Sequence, residues 1–357
     1  MSAEAAVTVP TVSLSWEWTR RRARVFRLAF GMTLSAAVAF GLAWPMAFLT
    51  PVLAAKLLSL PKVLPLKAGL GFIVLLAVTL FLGTRILLPT LDYPLVYLLL
   101  IGLVIFLLFY AKAGGTNPVL VVLLLLGALA VPLLGTVSDA LAFAVAEGLI
   151  FAAVVSVVIL YVSAALFPDP HIPPGIAAAE AAKKVPKEGT PDTRTRAVLA
   201  LRSTAVLYPL AIVIQMFSRV DLTIVLVQVA LLSLEPTFGK HLRAGAGLIL
   251  ANLTAGLVAV VIYQLLLFVP SFTFFLLLVL LAGLWAGKWI FSDHVLGKLL
   301  SAGITAVFII LGPAIMGDAD AGAELASRIF WIMFAVVYVV MAFGLLERLT
   351  RGRRLVA

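Results

Sequence analysis

The chain has 357 residues, of which 64% belong to the hydrophobic class and 12% are charged, and its mean hydropathy is +1.20. A soluble domain is about 45–50% apolar and about 25% charged, so a water-soluble fold with one buried core is excluded. The 26 Lys and Arg against 16 Asp and Glu give a net charge of +10, compatible with nucleic acid, an anionic membrane face or anionic ligands, while the absence of Cys removes disulfides, thiolate metal sites and Cys nucleophiles.

A membrane-spanning helix needs about 20 mostly apolar residues. Residues 1–26 precede the first apolar run and form a basic N-terminal segment. They do not read as a cleaved signal peptide, because no small-residue cleavage pattern follows a short apolar core. Arg20, Arg21, Arg22, Arg24 and Arg27 predict a cytoplasmic N-terminus, and Trp16 and Trp18 suit the interface. The first membrane unit, 27–167, holds apolar runs at about 27–43, 45–60, 66–88, 93–112, 117–134 and 138–166. Residues 168–196, with PDPHIPPG and KKVPKEGTPDTRTR, read as a polar cytoplasmic linker. The second unit, 197–347, holds runs at about 197–217, 220–235, 242–268, 272–291, 295–316 and 322–346. Residues 348–357 are a basic tail containing RLTRGRR.

With the N-terminus inside and twelve spans alternating, all Lys and Arg but Arg85, Arg219 and Arg328 fall on the cytoplasmic side. Asp92, Asp139, Asp221, Asp318, Asp320 and Glu324 fall on the outer side. Both termini are then cytoplasmic. LKAGLG at Leu66–Gly71 recurs as LRAGAG at Leu242–Gly247, an offset of 176, and Lys112 meets Lys288 at the same offset. Arg27 meets Arg202 at nearly that offset. The expected fold is therefore an all-α polytopic membrane protein of about twelve transmembrane helices, arranged as two parallel six-helix repeats.

In each half the second run is short. Pro45–Leu60 has sixteen residues, with Thr50-Pro51 at its middle and Lys56 one turn on. Val220–Glu235 is equally short and carries Thr223 and Gln228. Short or broken spans at matching places in two repeats point to a transport site; the simpler reading is that Pro51 kinks a helix and Thr50 satisfies the freed backbone. Arg27, Arg202, Lys67 and Arg243 sit early in their spans. They either gather anions or orient the chain and snorkel to lipid phosphates; orientation is preferred for Lys67 and Arg243.

Glu147 is the acidic residue placed well inside a span, which makes it a proton-coupling candidate. The alternatives are a structural pair with Arg85 or another base, or a tilted helix that brings it nearer water. Glu324 and Arg328, one turn apart, read as a local helix pair. Gln215, Asn252, Thr254 and Gln264 read as inter-helix hydrogen bonds, and Gly283-x-x-x-Gly287 as a helix-packing signal. His171, His241 and His294 lack metal-ligand spacing, and no Walker, nucleophile-elbow or paired-His motif occurs. Neither enzyme activity, a cofactor, a metal nor nucleic-acid binding is expected.

The stretch RVFRLAFGMTLSAAVAFGLAWPMAFLTPVLAAKLLSLP resembles the opening two spans of the fusaric-acid-resistance superfamily, which includes bacterial aromatic-acid exporters. An Arg in the first span, the Trp44-Pro45 break and a short span ending in Pro carry the likeness. The six-plus-six plan around a middle segment is similar too, although that segment is about thirty residues here and a sizeable soluble domain in many relatives. The resemblance implies a multi-pass bacterial inner-membrane exporter of organic anions, working with a periplasmic adaptor protein and acting as one twelve-span unit or as a homodimer. It carries Arg27, Trp44, Pro45, Thr50, Pro51 and Lys56 into the site. Arg202, Gln228 and Glu147 come from the residue reading above. Plant aluminium-activated malate channels have a similar span arrangement, so a passive anion channel is the rival expectation. A non-transporting scaffold for an envelope complex is the third.

Overall fold

A computed structural model of the chain describes residues 11–42, 46–116, 118–170, 192–217, 222–234, 238–292, 294–316 and 321–354. Trp44, Pro45, His171, Arg219, Asp221, Asp318, Asp320 and most of the linker lie outside the described residues. So do the side chains of Trp16, Thr223, His241, Arg243 and Glu324.

The described residues form twelve α-helices and no strand. They are α1 (Thr11–Leu42), α2 (Leu49–Leu58), α3 (Leu66–Leu82), α4 (Pro94–Ala113), α5 (Pro118–Gly135), α6 (Asp139–Leu166), α7 (Thr193–Met216), α8 (Thr223–Leu232), α9 (Phe238–Phe268), α10 (Phe272–Ile290), α11 (Val295–Met316) and α12 (Ala321–Arg354). Among the described residues nine helices are long and apolar enough to cross a membrane. Their surfaces invert the soluble pattern. On α4, Leu95, Leu99, Leu103 and Leu107 recur every four residues and are all exposed, while Ile101, Ile105 and Phe109 are buried. Water would oppose such a leucine stripe; hydrocarbon accepts it. The chain is an all-helical, membrane-embedded protein.

Several boundaries differ from those expected. α1 starts at Thr11, so residues 11–26 of the basic segment are helical and continuous with the first span; Arg is a good helix former, and hydropathy does not register it. α12 runs on to Arg354 for the same reason. The short second runs contract from sixteen residues to ten in both α2 and α8. At 1.5 Å per residue each is about 15 Å long, half the ~30 Å hydrocarbon core. Met46, with φ of 60°, holds a left-handed turn just before α2 that a helix cannot pass through.

α3 does not end cleanly. It runs into a π-helical turn, Gly83–Leu87, and a 3₁₀ turn, Leu88–Asp92. Pro89 explains the change, since its ring would collide with the carbonyl of Arg85 in an α-helical ladder. The widened turn passes close to α5: a Cβ on Gly83 would lie 2.5 Å from the Gly127 carbonyl oxygen.

Packing joins the two halves of the chain. α1 lies along α10, where the α1 backbone at Ala29 passes against Gly283, and α4 lies along α7. α2 packs on α1, α6 and α11; α8 packs on α7, α12 and α5. α5 crosses α3 as α11 crosses α9, and α6 covers α3 as α12 covers α9. Two large cores result. One is built from α1, α2, α6, α10 and α11 with part of α9. The other is built from α4, α5, α7, α8 and α12.

Hydrogen bonds and ion pairs identify the two faces. At one face the starts of α1 and α7 meet the ends of α6, α8 and α10. Arg24 Nε lies 3.4 Å from Asp169 Oδ1, Arg21 donates to the Lys288 carbonyl, and Ser203 Oγ donates to the Ser233 carbonyl at 2.9 Å. Lys112, at the end of α4, donates to the Leu234 carbonyl on the same face. At the opposite face the ends of α3, α5 and α7 surround the starts of α4 and α6.

Candidate functional site

The residues singled out in the sequence divide between the two cores. Thr50 and Pro51 occupy the first turn of α2 instead of the middle of a longer helix. A proline there needs no N–H, so Pro51 opens the helix and kinks nothing. The Ala47 carbonyl, out of Pro51's reach, accepts from the Thr50 N–H at 3.2 Å.

The Thr50 side chain is a different matter. It is fully buried, and its hydroxyl has no hydrogen-bond partner. Thr33, Thr79 and Thr84 each donate to the carbonyl four residues back, the ordinary solution in a membrane helix. Thr50 stands too near its helix start for a preceding turn to offer that carbonyl. Its own carbonyl accepts from Ser156 Oγ of α6 at 3.0 Å, which fixes α2 against α6.

α8 carries the counterpart in the other core. Gln228 is buried, and its Oε1 has no partner. Each half-length helix thus brings a buried side-chain polar atom without a hydrogen bond, an arrangement that costs about 1–3 kcal/mol unless something offsets it. Thr50 and Gln228 sit on helices of different cores.

The cations separate by environment. Arg27 is buried at 1% exposure, and its Nη1 lies 3.3 Å from Asp169 Oδ2. With Arg24 it forms a two-arginine clasp on Asp169 that closes α6 onto α1. Lys56 is exposed in the last turn of α2, and Arg202 is half-buried on α7. Among the described residues no carboxylate pairs with either. Arg328, placed at the outer side by its position, is buried and donates from Nε to Asn252 Oδ1 at 2.9 Å, tying α12 to α9.

Glu147 is exposed on α6 and lines a groove of about 430 Å³ together with Arg85, Thr84 and Phe143. It is therefore neither deeply buried nor in the cores. Arg85 lies over the Phe143 ring at 5.1 Å.

A cavity of about 750 Å³ opens at the face away from the N-terminal arginines. None of Arg27, Thr50, Pro51, Lys56, Glu147, Arg202 and Gln228 lines it. Its polar wall comes from Arg85 and Thr84 in the π turn, Asp92, Thr136, Asp139 and Gln215; Tyr97 and Phe143 supply aromatic surface. Gln215 Nε2 is buried without a hydrogen-bond partner. Sequence reasoning sorted Arg85, Asp92 and Asp139 as topology charges and missed that they converge. The signal that could have found them is Pro89 four residues after Arg85, a pattern that forces the helix to widen.

A family model described as "Protein of unknown function (DUF2955)" matches residues 24–163, from within α1 to the penultimate turn of α6. No curated protein and no solved structure matches the chain.

Proposed function

We propose that this chain is a secondary transporter that exports organic anions, aromatic carboxylates in particular, across the bacterial inner membrane, as the resemblance to the fusaric-acid-resistance superfamily implies. In this reading it is a multi-pass protein of two parallel six-helix repeats with both termini cytoplasmic. It acts without enzyme chemistry, as a single unit or a homodimer, and a periplasmic adaptor takes the cargo onward.

The repeat reading rests on packing that survives exchanging each helix for the one six places on. α1 with α10 becomes α7 with α4; α2 with α11 becomes α8 with α5; α2 with α6 becomes α8 with α12. Glycines 176 apart also share surroundings. Gly69 and Gly245 face the sixth helix of their own half, at Tyr161 and Val336; Gly127 and Gly303 abut the third, at Thr79 and at Ala251 and Ala255. Gly71 and Gly247 both face open space.

The observation that carries transport over scaffolding is the pair of half-length helices, each burying a polar atom left without a partner. A structural scaffold would replace Thr50 and Gln228 with apolar residues at no loss. A transporter keeps donors and acceptors free for cargo that visits. Lys56 and Arg202, which pair with no carboxylate among the described residues, attract the anion; Arg27, clasped by Asp169, holds the fold. Glu147 couples flux to protons at the groove it shares with Arg85.

The test is flux of a hydroxybenzoate from proteoliposomes under an imposed pH gradient. Saturable, gradient-dependent movement that becomes gradient-independent in Glu147→Gln is expected. Unsaturable flux with single-channel currents in a planar bilayer would replace transport by passive conduction, and no flux at all would leave the scaffold.

A further inference from the structure

A second feature lies at the opposite face from the large cavity and belongs to neither half-length helix. Where α1 runs beside α10, Trp18, Arg21, Arg22, Val25, Phe26 and Lys288 line a groove of about 310 Å³. Three cations converge there. Among the described residues no carboxylate pairs with Arg21, Arg22 or Lys288, whereas Arg24 and Arg27, one turn further along α1, share Asp169. Like charges crowded into one groove repel, and an anion between them relieves that repulsion.

The groove is a built surface. The Arg22 guanidinium lies over the Trp18 ring at 3.3 Å, which sets its plane while leaving its edge free to donate. Arg21 donates to the Lys288 carbonyl and so anchors α1 to the end of α10. The apolar residues continue downward from the charges. On α1, Trp18, Arg22 and Phe26 recur every four residues, and all are exposed. On α10, Lys288, Trp285 and Leu281 form the matching exposed stripe. Cations at the rim above two exposed apolar tracks fit a molecule with an anionic head and hydrocarbon tails. A free phosphate would use the rim and leave both tracks unused.

We propose that this groove is a specific site for an anionic phospholipid, with its phosphate held by Arg21, Arg22 and Lys288 and its acyl chains lying along Phe26, Trp285 and Leu281. Because α1 and α10 come from different halves of the chain, a lipid seated there staples the two halves together at that face. Headgroups with two phosphates engage more of the three cations than those with one.

The experiment uses the full chain, purified in detergent and stripped of lipid, and measures its thermal unfolding as lipid is added. Phosphatidylglycerol and cardiolipin are expected to raise the unfolding temperature at micromolar lipid. Phosphatidylcholine and inorganic phosphate are expected to leave it unchanged. The double variant R22Q/K288Q should need at least tenfold more cardiolipin for half the effect. R22K/K288R, which keeps both charges but loses the stacked guanidinium, should recover part of it, which separates loss of a site from damage to the fold. R194Q removes one exposed charge at the start of α7 and should bind as the native chain does. Equal stabilisation by phosphatidylcholine, an undiminished response in R22Q/K288Q, or a loss in R194Q as large as in the double variant would overturn the site. Stabilisation by inorganic phosphate alone would convert it to a site for free anions.

Discussion

The closest helix crossings predict which alanine substitutions the fold refuses. A Cβ at Gly127 of α5 would lie 2.7 Å from the Thr79 carbonyl oxygen of α3. A Cβ at Gly303 of α11 would lie 2.7 Å from the Ala251 carbonyl carbon of α9 and closer still to its oxygen. Ordinary contact begins near 3.4 Å, so each pair of helices must separate by about 0.7 Å or more. The obstruction is backbone, which cannot rotate aside as a side chain can. Overpacking of this kind costs about 1–3 kcal/mol, with Gly303→Ala at the upper end. At Gly71 and Gly247 a Cβ meets nothing within 4 Å. There alanine removes the helix penalty of glycine and stabilises by up to about 1 kcal/mol. Unfolding in mixed micelles titrated with dodecyl sulfate measures all four variants. The repeated crossing predicts two losses and two neutral or favourable changes, paired by the 176-residue offset. If Gly127→Ala and Gly303→Ala leave stability unchanged, or if one is harmless and the other severe, the equivalence of the two crossings is wrong.

Three other outcomes follow from side-chain pairing. Asp169→Asn strips both arginines of the α1–α6 clasp of their charge partner. Since Asp169 is itself partly exposed, a loss of about 1–2 kcal/mol is expected in the same titration. Asn252→Leu removes a hydrogen-bond acceptor from buried Arg328, whereas Arg328→Met leaves only a neutral amide without that donor. The first should therefore cost more, about 3 kcal/mol against about 1–2, and equal losses would show that the α9–α12 pair is not the buried polar contact it looks like. Lys56→Gln, at an exposed site, should leave the unfolding midpoint within about 0.5 kcal/mol of the native value while raising the anion concentration for half-maximal flux several-fold; a change in maximal rate alone would count against a gathering role.

Much of this arrangement was legible in the hydropathy of the chain. The runs at 272–291 and 295–316 coincide with α10 and α11 to within a residue, because both are bounded by charges, Pro or Gly that hydropathy registers. The 176-residue offset in LKAGLG and LRAGAG pointed to glycines whose environments match across the halves. What escaped was whatever depends on backbone conformation or on contacts distant in sequence. α2 and α8 are shorter than their apolar runs because apolarity is not helicity. The Arg27–Asp169 pair spans 142 positions, and Asp169 stood in a stretch read as linker. Arg85, Asp92 and Asp139 were legible as charges at the outer ends of the spans. Only the π turn and the way the end of α7 meets the starts of α4 and α6 bring them to one cavity.

The pairing of transport loss with unchanged stability in Thr50→Val and Gln228→Leu bears most directly on function. Each substitution removes a buried polar atom that makes no hydrogen bond in the fold, and each keeps the side-chain volume close to native. Unfolding free energy is expected to stay level or rise by up to about 1 kcal/mol. Hydroxybenzoate flux in proteoliposomes is expected to fall at least tenfold in each. Native flux in both variants, or a fall that tracks a comparable loss of stability, would mean that the half-length helices serve packing and that the cargo path lies elsewhere.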